Sequence, residues 1–299
     1  MTEQPLVSVI VVSYNAEDTV LETLDSVLNQ TYPKVELVLS DDCSKDKTVD
    51  VAQKWFNEHS VAFKGGAHLL TAEQNQGICA NFNKAIRFAS GEWIKIIAAD
   101  DILFPNCCWD YVEFSLRHPE AKFITSYVAM YDCFFTEDRC IDKHYSARDL
   151  TVFNKESGEQ LKKMVYQIFV TAPSMFFSKS VFVEVGGFNE RYSYEDHPFY
   201  VTLLEHGHKL YFMPKVTAGY RVHNSMFNSQ KKLFNYKFSL SSKQFRKERC
   251  FKYYNWRQKL ACNLYYSFLA FLEKLRLNKK TKTTSMLYNY IVGLFWRIG

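Results

Sequence analysis

Apolar and polar positions in the first hundred residues alternate between strand-like and helix-like patterns. Leu6 to Val12 is a Val-rich run, apolar but for Ser8, which predicts a strand buried on both faces, and Ser13-Tyr14-Asn15 ends it. Val20, Leu21, Leu24, Val27 and Leu28 then recur at helical spacing, with Asp18 as the expected N-cap and Tyr32-Pro33 closing the element. Val35 to Leu39 predicts a second strand running into Asp41-Asp42-Cys43-Ser44, and Thr48 to Asn57 a second helix. His68 to Thr71 reads as a third strand. Ile78 to Ala89 reads as a third helix with Gly91 at its C-terminal stop, and Trp93 to Ala98 as a fourth strand ending at Asp100-Asp101.

Strands alternating with helices imply an open, mostly parallel α/β sheet. Such sheets take ligands beyond the carboxyl ends of their strands. Three polar clusters fall on that edge: Ser13-Tyr14-Asn15, Asp41-Asp42 and Asp100-Asp101. Farther along the pattern is mixed. Phe123 to Asp132, Ser174 to Phe177, Lys209 to Phe212 and Val216 to Arg221 predict strands, and Pro198 to His206 predicts a helix. Composition shifts near Gln230, which divides an α/β domain, 1–230, from a basic, aromatic, helical tail, 231–299.

Charge sharpens that boundary. The 299 residues carry a net charge of +5, yet from Lys231 onward 16 Lys and Arg face two acids, Glu248 and Glu273, so the preceding part is mildly acidic. A tail of this kind suits a polyanion, either an anionic membrane surface or a nucleic acid. Aromatics such as Tyr253, Trp256 and Phe271 are interleaved with its bases, as in stretches that lie in a membrane interface. The alternative is a helical subdomain that packs those rings on the body. The eight cysteines show no CxxC pair of zinc spacing and fit reduced, buried thiols. No run approaches the ~20 apolar residues that span a bilayer, and no signal peptide precedes the first strand, so a cytoplasmic placement is expected.

The polar clusters admit specific chemistry and plainer roles. Adjacent carboxylates at a strand end can hold a hard divalent cation, which would neutralise a diphosphate leaving group; alternatively Asp100 caps the next helix. A carboxylate at Asp41-Asp42 can accept from the imide N–H of uracil or form an Asx turn. Tyr14 can stack on a base or simply pack. Glu195-Asp196 can supply a general base, or can be an acid pair favoured by a helix N-terminus.

The order of these motifs carries a resemblance. Val7-Ser8-Val9-Ile10-Val11-Val12-Ser13-Tyr14-Asn15, Leu28-Asn29-Gln30-Thr31-Tyr32-Pro33 and Glu36 through Thr48 strongly resemble the family 2 glycosyltransferases of GT-A fold. So do Asn75-Gln76-Gly77 leading to Asn83-Lys84-Ala85-Ile86, then Gly91-Glu92-Trp93-Ile94 and Ala98-Ala99-Asp100-Asp101. Gly186-Gly187-Phe188, Glu195-Asp196 and Tyr220 through Ser225 look like that family's acceptor-side motifs. The resemblance implies a Rossmann-like nucleotide-sugar domain with Val12 and Tyr14 lining the uridine pocket and Asp42 reading uracil. Gly77 and Asn83 would border base and ribose. Asp100 and Asp101 would face ribose or a Mn²⁺ or Mg²⁺ ion with His223 near it, and Asp196 would be the base with Glu195 beside it. It departs from the family at Ala98, where an acid is common, and at Cys43, where glycine is common.

The implied activity is inverting transfer of a sugar from a UDP-sugar donor to a saccharide acceptor, lipid-linked through a polyprenyl diphosphate, in O-antigen or other surface polysaccharide assembly. The enzyme would sit peripherally on the inner face of the cell membrane, with no nucleic acid as partner. A nucleotidyltransferase would normally carry a glycine-rich phosphate loop, which Ser13-Tyr14-Asn15-Ala16-Glu17 does not offer. A nucleic-acid-binding role for the tail leaves the ordered acids unexplained.

Overall fold

The computed structural model describes residues 4–145, 149–222 and 232–298. The chain divides into two compact units: Met1–Glu190 with Glu195–Arg221, and Arg191–Tyr194 with Val222–Gly299.

The first unit opens with β1 (Val7–Ser13), α1 (Val20–Leu28), β2 (Val35–Asp41), α2 (Thr48–His59), β3 (Ala67–Thr71), α3 (Ile78–Phe88) and β4 (Trp93–Ala98). Then come β5 (Ile102–Leu103), α4 (Cys107–Arg117), β6 (Phe123–Tyr131), β7 (Cys140–Tyr145), α5 (Ser157–Met164), β8 (Phe176–Ser178), α6 (Lys179–Glu184), α7 (Asp196–Glu205) and β9 (Leu210–Arg221). The strands form one sheet in the order β3-β2-β1-β4-β8-β6-β9-β5, with β7 paired to β6. The parallel α/β half expected from the sequence is β3-β2-β1-β4, and the remainder is mixed, with β8 antiparallel to both β4 and β6. Every residue of β1 and β2 is buried, and the polar Ser8 and Glu36 among them pair with each other.

Several local expectations are corrected. Helix α1 is preceded by Thr19, not Asp18, and no side chain caps it. Residues 15–17 are instead tied to the turn after β2, and Thr19 and Val20 donate to the Ala16 carbonyl. Gly91 is no left-handed helix stop. A Cβ there would lie 2.4 Å from Ser8 Oγ and 2.7 Å from Ser8 N, so the glycine permits close chain approach. The two short strands expected between Lys209 and Arg221 are one strand, β9. Its pairing with β6 jumps from Met213 to Val216, which lets Pro214, with no N–H to donate, bulge out of the ladder. Residues Ala172–Ser174 form a 3₁₀ turn before β8, and the fully buried Lys95 on β4 holds that turn by donating to the Pro173 carbonyl at 2.5 Å.

The second unit contains α8 (Tyr236–Phe245), α9 (Trp256–Lys274) and α10 (Lys282–Ile298). Phe245, Cys250, Tyr254, Cys262, Tyr266 and Leu269 are buried, and the Tyr192 ring meets Phe245 edge-on. Asn255 and Gln258 form a reciprocal capping box that starts α9. None of the eight cysteines forms a disulfide. No helix among the described residues is long and apolar enough to cross a membrane.

Candidate active site

The register of the sheet brings three strand ends together. Val12 lies opposite Ser40 on one side and Ala98 on the other, and Ser13 opposite Asp41. Tyr14, Asp42 and Asp100 therefore follow neighbouring strands at one edge. The first two loops are stitched to each other. Ser13 Oγ donates to Asp41 Oδ2 at 2.8 Å, the Asn15 N–H to Ser44 Oγ at 2.8 Å, and the Lys45 N–H to Asn15 Oδ1 at 2.8 Å. Asp41 is thus spent on the turn, since Ser44 also donates to it through its N–H and hydroxyl. Val12 is buried, whereas Tyr14 is 50% exposed and free to meet a planar ligand. Cys43 stands where the resemblance expects glycine and adopts φ 65°, the left-handed region that favours glycine.

Asp42 is buried and accepts from the backbone N–H groups of Gln76 and Gly77, at 2.8 Å each. Each of its oxygens retains a second lone pair for a ligand N–H. Gly77, at φ 89°, leads into α3. Asn83 is engaged differently from the expected base and ribose contact. Its Nδ2 donates to the Phe188 carbonyl and to Glu190, both at 2.8 Å, and its Oδ1 accepts from the Phe188 N–H. The side chain anchors the Gly186-Gly187-Phe188 turn to α3. Its neighbour Lys84 was not singled out by the sequence. The Lys84 ammonium is buried without a hydrogen-bond partner, and burial pushes its pKa down against the pull of Asp42 and Asp41.

Asp100 and Asp101 form the turn after β4. Asp101 is almost wholly buried; its Oδ1 accepts from the Arg221 backbone N–H at 2.8 Å, and its carbonyl from Thr23 Oγ1 at 2.6 Å. Burial raises the pKa of Asp100, with Arg221 opposing, and raises that of Asp101 well above the usual range, with the Asp100 charge adding to it. Arg221, at the end of β9, clamps this turn. Its Nε donates to the Asp100 carbonyl at 2.8 Å, its other nitrogens donate to the Cys133 carbonyl and Glu22, and its guanidinium lies 4.4 Å over the Phe135 ring. His223 lies outside the described residues. Among those described, no group of three His, Cys, Asp or Glu side chains converges. Two adjacent carboxylates, Asp101 buried and Asp100 half-buried, nevertheless fit a hard cation that takes most of its ligands from phosphate and water.

Glu195 and Asp196 open α7, where the N–H of His197 donates to Asp196 Oδ1 at 2.6 Å. His197 Nε2 donates to the Met164 carbonyl at 2.7 Å, which fixes the start of the helix against α5. Burial and the charge of Asp196 raise the Glu195 pKa to about 8, while burial raises that of Asp196 to about 6. The charges of Glu195 and Asp196 also push up the pKa of Cys79 on α3, which is mainly raised by burial. The acid pair therefore lies within electrostatic reach of the helix that Gly77 begins.

A sheet edge that gathers an exposed aromatic and two acid-bearing turns, with a largely buried acid pair within electrostatic reach of α3, defines a nucleotide-sugar transferase of GT-A-like fold. Residues 8–186 match the model of the family described as glycosyl transferase family 2, and the chain belongs to that family. It is 27% identical over 228 residues to the putative teichuronic acid biosynthesis glycosyltransferase TuaG of Bacillus subtilis, covering 76% of this chain and 83% of that one. It is 39% identical over 101 residues to the Escherichia coli UDP-Glc:alpha-D-GlcNAc-diphosphoundecaprenol beta-1,3-glucosyltransferase WfgD, but that match spans only 34% of this chain and 37% of the relative. The fold is similar to that of mannosyltransferase PcManGT from Pyrobaculum calidifontis in complex with GDP-Man and Mn²⁺. The TM-score is 0.62 at 17% identity, over 99% of this chain and 86% of that one.

Proposed function

We propose that the chain is an inverting glycosyltransferase that moves a sugar from a UDP-sugar to a saccharide acceptor carried on a polyprenyl diphosphate, in surface polysaccharide assembly of the O-antigen kind. The observation that carries the reading is the Glu195-Asp196 pair at the start of α7, where burial raises both carboxyl pKa values and the Asp196 charge raises that of Glu195 further. Near neutral pH such a pair holds one proton. Glu195 keeps it, and Asp196 is left as a carboxylate whose basicity is matched to that pH. Asp196 removes the proton from the acceptor hydroxyl as that oxygen bonds to the anomeric carbon. The sugar–phosphate bond breaks on the opposite side, and UDP departs.

Tyr14 stacks on the uracil beside Val12, and Asp42 accepts from its imide N–H while holding Gln76 and Gly77 in place. Asn83 acts through the turn at Phe188 and not by touching the nucleotide. Asp100, with Asp101 behind it, would hold a Mn²⁺ or Mg²⁺ ion, which would supply positive charge to offset that on the diphosphate. WfgD, named for transfer from UDP-Glc to alpha-D-GlcNAc-diphosphoundecaprenol, supports the choice of donor and acceptor. The configuration of the product tests the reading. An α-linked UDP-sugar must give a β-glycoside by proton NMR, and an α-glycoside product would rule out direct displacement assisted by Asp196.

A further inference from the structure

Helices α9 and α10 present apolar side chains on their solvent faces, the reverse of an ordinary surface helix. On α9, Trp256, Leu260, Leu264 and Phe271 are exposed and recur at intervals of four and seven residues, with Leu275 continuing the row just past the helix end. Trp256 is 68% exposed and Phe271 55%. On α10, Met286, Tyr290 and Leu294 repeat the pattern, with Met286 67% and Tyr290 66% exposed. The same α9 is properly built on its other side, where Cys262, Tyr266 and Leu269 are buried. The exposed row is therefore a designed face of a folded helix.

Bases edge this surface. Arg257 and Lys274 stand exposed on α9, Arg276, Lys279 and Lys280 on the connection to α10, and Arg297 near the end of α10. From Lys231 onward, only Glu248 and Glu273 oppose 16 Lys and Arg. Glu248 is already engaged by Arg191 and Tyr192, and Glu273 accepts from Asn278. A second copy would bring like charge against like charge. An anionic lipid surface offers both the opposite charge and an apolar layer at the depth of such rings. Neither helix is long and apolar enough to span the bilayer, so the face lies along the interface.

We propose that the exposed apolar face of α9 and α10, with its border of Lys and Arg, docks this enzyme in the headgroup layer of an anionic membrane. The inference goes beyond the transfer chemistry and stands without it, because vesicle binding needs neither donor nor acceptor.

Co-sedimentation of the full chain with vesicles of phosphatidylcholine, alone or mixed with phosphatidylglycerol, tests it. Binding to the mixed vesicles is expected to exceed binding to phosphatidylcholine alone by at least about tenfold and to weaken as salt screens the bases. The exposed-site variant Trp256→Ser with Phe271→Ser should lose at least about tenfold in binding while keeping its circular dichroism spectrum. Met286→Ser with Tyr290→Ser, on the other helix, provides an independent variant. Equal affinity for both vesicle types, or undiminished binding by both variants, would overturn the proposal. So would a dimer in solution that these substitutions convert to monomer, since the face would then belong to a second copy.

Discussion

Replacing Asp196 with asparagine should make the protein more stable and far less active. The carboxylate is raised from 3.8 to about 6, chiefly by burial. The folded state thus holds the Asp196 proton more tightly than the unfolded chain does. Stability attributable to this group is full below pH ~4, falls as pH rises through the window from 3.8 to about 6, and stays reduced above it. A shift of about two units corresponds to roughly 3 kcal/mol at most, at ~1.4 kcal/mol per unit. Asparagine never ionises, and its Oδ1 can still accept the His197 N–H, so Asp196→Asn should recover much of that loss at pH 7.5 and little at pH 4.5. For a unit of this size 1 kcal/mol moves Tm by about 2–4 °C, so a gain of several degrees is expected at the higher pH alone. Transfer should drop by about 10²–10⁴-fold while UDP affinity is kept. In the wild type, kcat/KM should rise with pH along a limb centred near the Asp196 value of about 6. Scanning calorimetry at both pH values, with turnover alongside, checks each part. A variant that is no more stable at pH 7.5 than the wild type, or that turns over normally, would refute the reasoning.

Substitutions at four further positions test the surrounding geometry. Cys43→Gly relieves a left-handed backbone and should raise stability by about 1 kcal/mol in urea unfolding. Gly91→Ala forces a methyl against Ser8 and should lower stability in urea unfolding by about 1–3 kcal/mol. Arg221→Ala should free the Asp100-Asp101 turn and weaken Mn²⁺ stimulation of transfer, while Arg221→Lys, lacking the planar fork, should restore only part of it. Lys84→Met removes an unpartnered ammonium and should raise donor KM if that cation completes the Asp42 side of the pocket; an unchanged KM with higher stability would make the lysine a bystander.

The parallel half of the sheet was legible because its strands are largely apolar runs punctuated by polar turns, and both signals are local. The mixed half was less so. β5 has only two residues, and β8 is a three-residue strand set by pairing with β4 and β6. The continuity of β9 depends on a bulge around Pro214, which the sequence alone reads as a break. In the site, the acid clusters were visible as residue types at strand ends. The clamp made by Arg221 was not, because it joins residues 22, 100, 101, 133 and 221, which no sequence spacing relates. The anchoring role of Asn83 was likewise hidden, since its partners lie about a hundred residues away. Lys84 stood out only once its burial without a partner was seen.

The most direct measurement is UDP release from a panel of UDP-sugars, with and without a GlcNAc-diphosphate-lipid acceptor and with and without Mn²⁺. At least one UDP-sugar should give release that requires the acceptor, is raised by Mn²⁺ and is lost in Asp196→Asn. Acceptor-independent release throughout the panel, or transfer supported only by a GDP-sugar, would contradict it.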